Sequence, residues 1–203
     1  MYWFYKRTFL LRMSADELLV QGPWAWDAPT LSSLVTIAGR AQGDLTTIEK
    51  PIRDTRLSAW QHLGTWFRDL SNGLHVHRCT WDGKESVLVM VFNGLAIFNH
   101  RYGRILAAEV NSCHELQAYG PAVQQYLHYS EQVLEMVKQH PTDRILLAGS
   151  SAGCLLATVA AVHLSAWTKD AVPIGLVAIG SARVLVPWTA EWVRSRSNLT
   201  VLR

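Results

Sequence analysis

The chain reads as an α/β fold, a mostly parallel sheet flanked by helices. Three observations predict it. Apolar runs of strand length alternate with segments of helical period from residue 74 onward. Their order is a β-hairpin followed by α-β-α-β-α-β, which a parallel sheet covered by helices accommodates. The longest charge-free stretch, residues 145–168, is divided by Gly149, Ser150, Ser151 and Gly153 into a short β-like run and a helix-like run. By length alone that stretch is a transmembrane candidate. The glycine and serine cluster inside it favours a core strand followed by a core helix.

The totals agree with a globular chain. The 203 residues are 49% hydrophobic and 17% charged, enough for one domain with a sizeable core and too apolar for a disordered segment. The net charge is +3, and the basic residues are scattered, so no nucleic-acid surface is expected. Cys79, Cys113 and Cys154 are odd in number and widely spaced. They form neither a disulfide framework nor a CxxC zinc pattern, which favours a reducing compartment. The N-terminal MYWFYKRTFLLRM carries a short apolar stretch interrupted by Arg12 and no small-residue cleavage site. A signal peptide is not expected and a cytoplasmic location is preferred, with contact of this apolar terminus with a membrane surface left open. The nine Trp residues are dispersed and form no motif.

Residues 1–73 are expected to be an N-terminal helical or irregular region packing on the core, and 74–203 a partial α/β domain whose C-terminal part is missing. In the first region Ser14-Ala15-Asp16-Glu17 reads as a capping box opening a short helix, broken by Gly22-Pro23. Residues 30–42 read as a second helix ending near Gly39 or Gly43.

In the second region Leu74–Thr80 alternates with period two, as a half-buried strand does. Asp82-Gly83 is a hairpin turn. Val87–Phe92 is continuously apolar, fit for a central strand buried on both faces, and Asn93-Gly94 ends it. Gly120-Pro121 opens a helix over 121–139, with Pro where the first turn needs no N–H. Val123, Tyr126, Leu127, Val133, Leu134 and Val137 form its apolar stripe, and Pro141 stops it. Strand 145–148, helix 152–166, strand 176–179, a helix around 187–195 and a strand at 199–202 follow.

Gly149-Ser150-Ser151-Ala152-Gly153 is the motif that carries chemistry. A serine hydroxyl needs exposure, a base and oxyanion donors before it attacks a carbonyl. A tight turn between strand and helix supplies the exposure, and glycines two before and two after the serine let it close. A bare GxSxG arises by chance in roughly one chain in ten or twenty of this length, taking Gly and Ser at about 7% each. Here the required strand stands directly before it and the required apolar helix directly after. The motif therefore reads as a nucleophile elbow of an α/β-hydrolase-like fold. Ser151 takes the nucleophile position, and Ala152 N–H is an oxyanion donor at the helix N-terminus.

From about residue 74 onward the chain resembles the class 3 (fungal-type) lipase family of α/β-hydrolases. Phe92-Asn93-Gly94-Leu95 is similar to the family strand ending in FRGT or FRGS. Arg144–Leu164 resembles its strand, GHSLGG elbow and following helix. Ile179–Val184 resembles its FGxPRVG block, and Trp188–Trp192 its FAEW-like helix. The resemblance implies a lipase-like serine ester hydrolase acting on acylglycerols or similar esters, with a lipid or small ester as partner and no cofactor. It also implies Leu95 N–H as the second oxyanion donor.

The departures are informative. Leu95 stands where the family has Ser or Thr, Asn93 where it has Arg, Ser150 where it has His, and Cys154 where it has a third glycine. The Ser-Ala-Gly elbow also resembles hormone-sensitive-lipase-type esterases, but their HGGG motif has no counterpart here. The family order is Ser, Asp, His. After Ser151 the chain has only Asp170 and His163. Asp170 lies in a connection and His163 about three turns along the helix, so neither is expected to serve Ser151. The expectation is that acid and base belong to further sequence. The alternative is a non-catalytic lipase-like domain that binds a lipid or protein partner. Cys154 is expected to be a buried helix residue. His75 and His77 share a strand face in the i, i+2 arrangement that can bind metal, but no third ligand is evident in the sequence and no metal site is expected.

Overall fold

A computed structural model describes Trp24, residues 26–40, 55–69, 72–94, 108–110, 113–180, 184, 185 and 187–202. In chain order its elements are α1 (Ala28–Arg40), β1 (Leu57–Asp69), β2 (Asn72–Trp81), β3 (Glu85–Gly94), β4 (Ala108–Val110) and β5 (Cys113–Ala118). They continue with α2 (Gly120–Tyr126), α3 (Ser130–Gln139), β6 (Arg144–Ser150), α4 (Ala152–Thr168), β7 (Ile174–Ile179), α5 (Pro187–Arg194) and β8 (Leu199–Leu202). The capping box at Ser14–Glu17 falls outside the described residues.

The main sheet has the order β1-β2-β3-β6-β7-β8. The first three strands pair antiparallel, and β3, β6, β7 and β8 pair parallel. The mixed, mostly parallel sheet flanked by helices is thus present. Asp82 and Gly83 make the β2–β3 turn with φ of 53° and 68°, as the mirror-image hairpin turns require. The Lys84 N–H donates to the Trp81 carbonyl to close it.

Period-two alternation divides β3 and β6 between two cores. Leu88, Met90, Phe92, Ile145 and Leu147 face α2, α3 and α4, and Val87, Val89, Val91, Leu146 and Ala148 face α1 and its flanking residues. All ten are buried, which is why the sequence shows continuous apolar runs there. Each of the nine larger side chains contributes about 1.5–3 kcal/mol on leaving water. On the second face Trp24 stacks on Trp26 at 5.0 Å, and both meet the Trp81 ring edge-on. Three of the nine tryptophans are therefore brought together by folding rather than by a motif.

Three features differ from the sequence reading. Residues 57–69 form an edge strand although no clean alternation marks them, because register irregularities interrupt their pairing with β2. The two-stranded β4–β5 sheet was not legible either. The expected helix over 121–139 is two helices. Between them the His128 and Tyr129 N–H groups donate to carbonyls three residues back, Gln125 and Tyr126, tightening the turn. The Ser130 hydroxyl donates to the Leu127 carbonyl at the restart.

The stretch 145–168 is strand β6, a turn and helix α4, whose residues 152–165 are buried. Among the described residues no helix is long and apolar enough to cross a membrane.

Candidate functional site

Ser151 joins β6 to α4 with φ 52° and ψ −120°, and it is exposed. Positive φ is uncommon for a residue with a Cβ and costs on the order of 1–3 kcal/mol. Such a conformation persists only where its surroundings over-determine it, and here they do. A Cβ on Gly149 would lie 2.4 Å from the Gly153 carbonyl oxygen, and a Cβ on Gly153 would lie 2.2 Å from that of Phe92. Both glycines are thus required by close backbone approach. The end of β6 rests on the first turn of α4, and that turn rests on the end of β3.

Hydrogen bonds converge on the same crossing. The Ser151 N–H donates to the Ile179 carbonyl at 2.9 Å, and the Cys154 N–H to the Ser151 carbonyl at 3.1 Å. The Cys154 thiol lies 2.9 Å from the Gly149 carbonyl oxygen and 2.8 Å from that of Ile179. Cys154 is fully buried, as a helix residue rather than a surface thiol. The Ser151 hydroxyl makes no hydrogen bond among the described residues.

Ala152 is the first residue of α4, where backbone N–H groups have no partner within their own helix. Leu95 lies outside the described residues, directly after the last residue of β3. Asn93, two positions before it, is buried, and its side-chain carbonyl oxygen has no hydrogen-bond partner among the described residues.

His163 and Asp170 stand away from Ser151. His163 lies further along α4, roughly 18 Å of helix rise from the elbow. Its Nδ1 is 2.7 Å from the Tyr126 hydroxyl, and burial lowers its pKa to about 4. Asp170 pairs with Arg196 at 2.9 Å. Both are committed to structural contacts.

His75 and His77 are buried side by side on the β2 face that α1 shares. Burial, then the charges of His62 and His75, lowers the His77 pKa to about 4. His62, which sequence reasoning did not connect to them, is directly opposite His77 on β1. Only the pairing of an illegible edge strand could have disclosed it.

The sheet order and the strained serine between strand and helix define the class: an α/β-hydrolase-like domain with an elbow at residues 149–153. The model of the Lipase (class 3) family matches residues 62–203. The chain belongs to the class 3 lipase family.

Solved structures agree on the fold. Lipase II from Rhizopus niveus superposes with a TM-score of 0.58 at 18% identity, covering 84% of this chain and 69% of that one. The triacylglyceride lipase of Rhizomucor miehei gives 0.56 at 16% identity, with 84% and 69% covered. A Penicillium cyclopium structure, the N225Q mutant form of MDLA, gives 0.60 at 16% identity, with 87% and 71% covered. A search of curated proteins found no match.

Proposed function

We propose that this lipase-family domain is a serine ester hydrolase whose nucleophile is Ser151 and whose substrates are acylglycerols or similar carboxylic esters. The observation that carries the reading is the exposed, positive-φ serine at the β6–α4 junction, held by two glycines that tolerate no Cβ. The Ser151 hydroxyl attacks the ester carbonyl carbon. The oxyanion is held by the Ala152 N–H and, after the end of β3, by the Leu95 N–H. Leu95 brings no hydroxyl of its own, so this second donor is a backbone group alone, and the hole is weaker than one with a serine or threonine there. Attack also needs a base and an acid, and neither His163 nor Asp170 supplies them to Ser151.

Contact with a lipid surface is part of the same proposal. Phe67 and Trp188 are large exposed aromatic side chains. Phe67 pairs with Gly73, which pairs with Asn93, so it stands at the end of the sheet that carries Ser151.

A second reading is a lipase-like domain that binds its lipid or protein partner without turnover. The structural commitment of His163 and Asp170 favours it.

A fluorophosphonate probe separates the two, with Ser151→Ala as the control. The hydrolase reading expects stoichiometric labelling of the protein at Ser151, together with release of nitrophenol from short- and long-chain esters. No labelling, with equal ester rates in protein and control, favours the non-catalytic reading for this domain.

A further inference from the structure

Gly149 and Gly153 make room for the turn at Ser151, but room is not force. A missing Cβ permits a positive φ at the serine between them without compelling it. What compels it is the pair of hydrogen bonds on either side of Ser151. Its N–H is held by the Ile179 carbonyl at 2.9 Å, and its own carbonyl receives the Cys154 N–H at 3.1 Å. A strained conformation lasts only while such contacts over-determine it.

The Ile179 carbonyl is therefore an anchor, and one flank of it is open. β7 pairs with β8 only from Ile174 to Val177, so Ile179 lies beyond the last pair on that side. Gly180 follows with φ 69°, where the chain turns without a Cβ to restrain it. Cys154 reinforces this point. Its side chain is fully buried, with the sulfur 2.8 Å from the Ile179 carbonyl oxygen and 2.9 Å from that of Gly149. One thiol thus spans the ends of β6 and β7 at the crossing where Ser151 turns. A thiol is a weak donor with a single proton, so it donates to one carbonyl and packs against the other. Both separations are short for an atom as large as sulfur, which leaves neither carbonyl slack. A glycine at 154, the residue of the lipase pattern, would reach neither.

We propose that Cys154 is a positioning residue. Its thiol fixes the Ile179 and Gly149 carbonyls and so holds Ser151 in the strained conformation that presents its hydroxyl. The consequence for reaction rests on the reading of Ser151 as nucleophile. The consequence for strain does not, and the two have separate tests.

Strain is read as the melting-temperature difference between Ser151→Gly and Ser151→Ala, which both lack the hydroxyl and differ in the Cβ. The difference is measured in the 203-residue protein and in Cys154→Ser, Cys154→Ala and Cys79→Ala backgrounds. Serine keeps a donor at 154 and alanine does not. Cys79 is a second buried cysteine, paired with Val87 at the far end of β3 from the elbow. Alanine at 154 deletes one atom and is a strong helix former, so the fold is retained, as circular dichroism checks. The glycine advantage is expected to persist with serine at 154 and in Cys79→Ala, and to fall by roughly half or more in Cys154→Ala, because residues sharing contacts are coupled. The rate of Ser151 labelling by a fluorophosphonate falls at least about tenfold in Cys154→Ala, as small misplacements of a reacting group do, and is kept in Cys154→Ser and Cys79→Ala.

An equal glycine advantage in all four backgrounds, or none in the unaltered protein, overturns the proposal. So does an equal loss in Cys154→Ser and Cys154→Ala, or labelling undiminished in Cys154→Ala. If the unaltered protein takes no label, the reading of Ser151 as a reactive nucleophile fails, and the melting temperatures alone decide the role of Cys154.

Discussion

Replacing Gly153 by alanine would place a Cβ 2.2 Å from the Phe92 carbonyl oxygen, with the Asn93 Cα 3.5 Å away. Real Cβ atoms essentially never come closer than 3.0 Å, so α4 and β3 must separate by roughly 0.8 Å. The obstructing atoms are backbone and cannot rotate aside. Overpacking of this kind costs typically 1–3 kcal/mol, and an obstacle without freedom puts the cost at about 3. At roughly 2–4 °C per kcal/mol for a chain of this size, the melting temperature falls by about 6–12 °C. Gly83→Ala is the internal comparison. Its φ is also positive, at +68°, but nothing lies within 4 Å of the added Cβ. It pays only the left-handed strain, about 1–2 kcal/mol. Thermal unfolding followed by far-ultraviolet circular dichroism ranks the two. A Gly153→Ala protein that melts at or above Gly83→Ala would refute the argument that close backbone approach, not flexibility, fixes glycine at the elbow.

Two further outcomes follow from the histidine and carboxylate after the elbow. Burial lowers the folded-state pKa of His163 to about 4, against 6.5 for the free side chain. The unfolded chain therefore binds the proton first on acidification. The stability that His163 confers by staying neutral is whole above about pH 6.5 and is lost as the pH falls toward 4, amounting to a few kcal/mol at most. Urea unfolding from pH 7.5 to 4 reads it. A Tyr126→Phe/His163→Leu double variant, which removes both hydrogen-bonding partners, should show a flatter profile, and an identical profile would contradict the assignment. Asp170→Asn breaks a part-exposed ion pair with Arg196. It should cost less than about 1 kcal/mol and leave the rate of Ser151 labelling unchanged. A large loss of labelling would make Asp170 part of the reaction.

What the sequence disclosed and what it hid follow from how far apart the interacting residues lie. The parallel strands were legible because burial on both faces removes polar residues from Val87–Phe92 and Ile145–Ala148. The elbow was legible because its requirements are local: a strand, two glycines and a helix within a few residues. Strand β1 was not, because its irregular register breaks the period-two pattern that identifies a strand. The histidine cluster was invisible for the same reason, since His62 meets His77 only through that irregular pairing. The break between α2 and α3 was hidden too. Val123, Tyr126, Leu127, Val133, Leu134 and Val137 fit a continuous apolar stripe equally well, and only the tightened turn at His128 and Tyr129 distinguishes the two forms.

The strain at Ser151 can be separated from the chemistry proposed for it. At φ 52° and ψ −120° the residue occupies a region that only glycine enters without steric cost. Ser151→Ala keeps the Cβ and so keeps the strain. The hydroxyl it removes is exposed and makes no hydrogen bond among the described residues, so stability should change by less than about 0.5 kcal/mol. Ser151→Gly releases a strain on the order of 1–3 kcal/mol and gives back about 0.5–1 kcal/mol in backbone entropy. The net gain of roughly 0.5–2 kcal/mol raises the melting temperature by about 1–8 °C. Both variants lose the hydroxyl, so neither can be labelled, and any difference between them is conformational. A glycine variant that melts with the alanine variant would show that the strain is no larger than the roughly 0.5–1 kcal/mol of backbone entropy that offsets it. A more stable glycine variant would mean that the chain retains a destabilised residue at this exposed position, as expected where stability is given up for function.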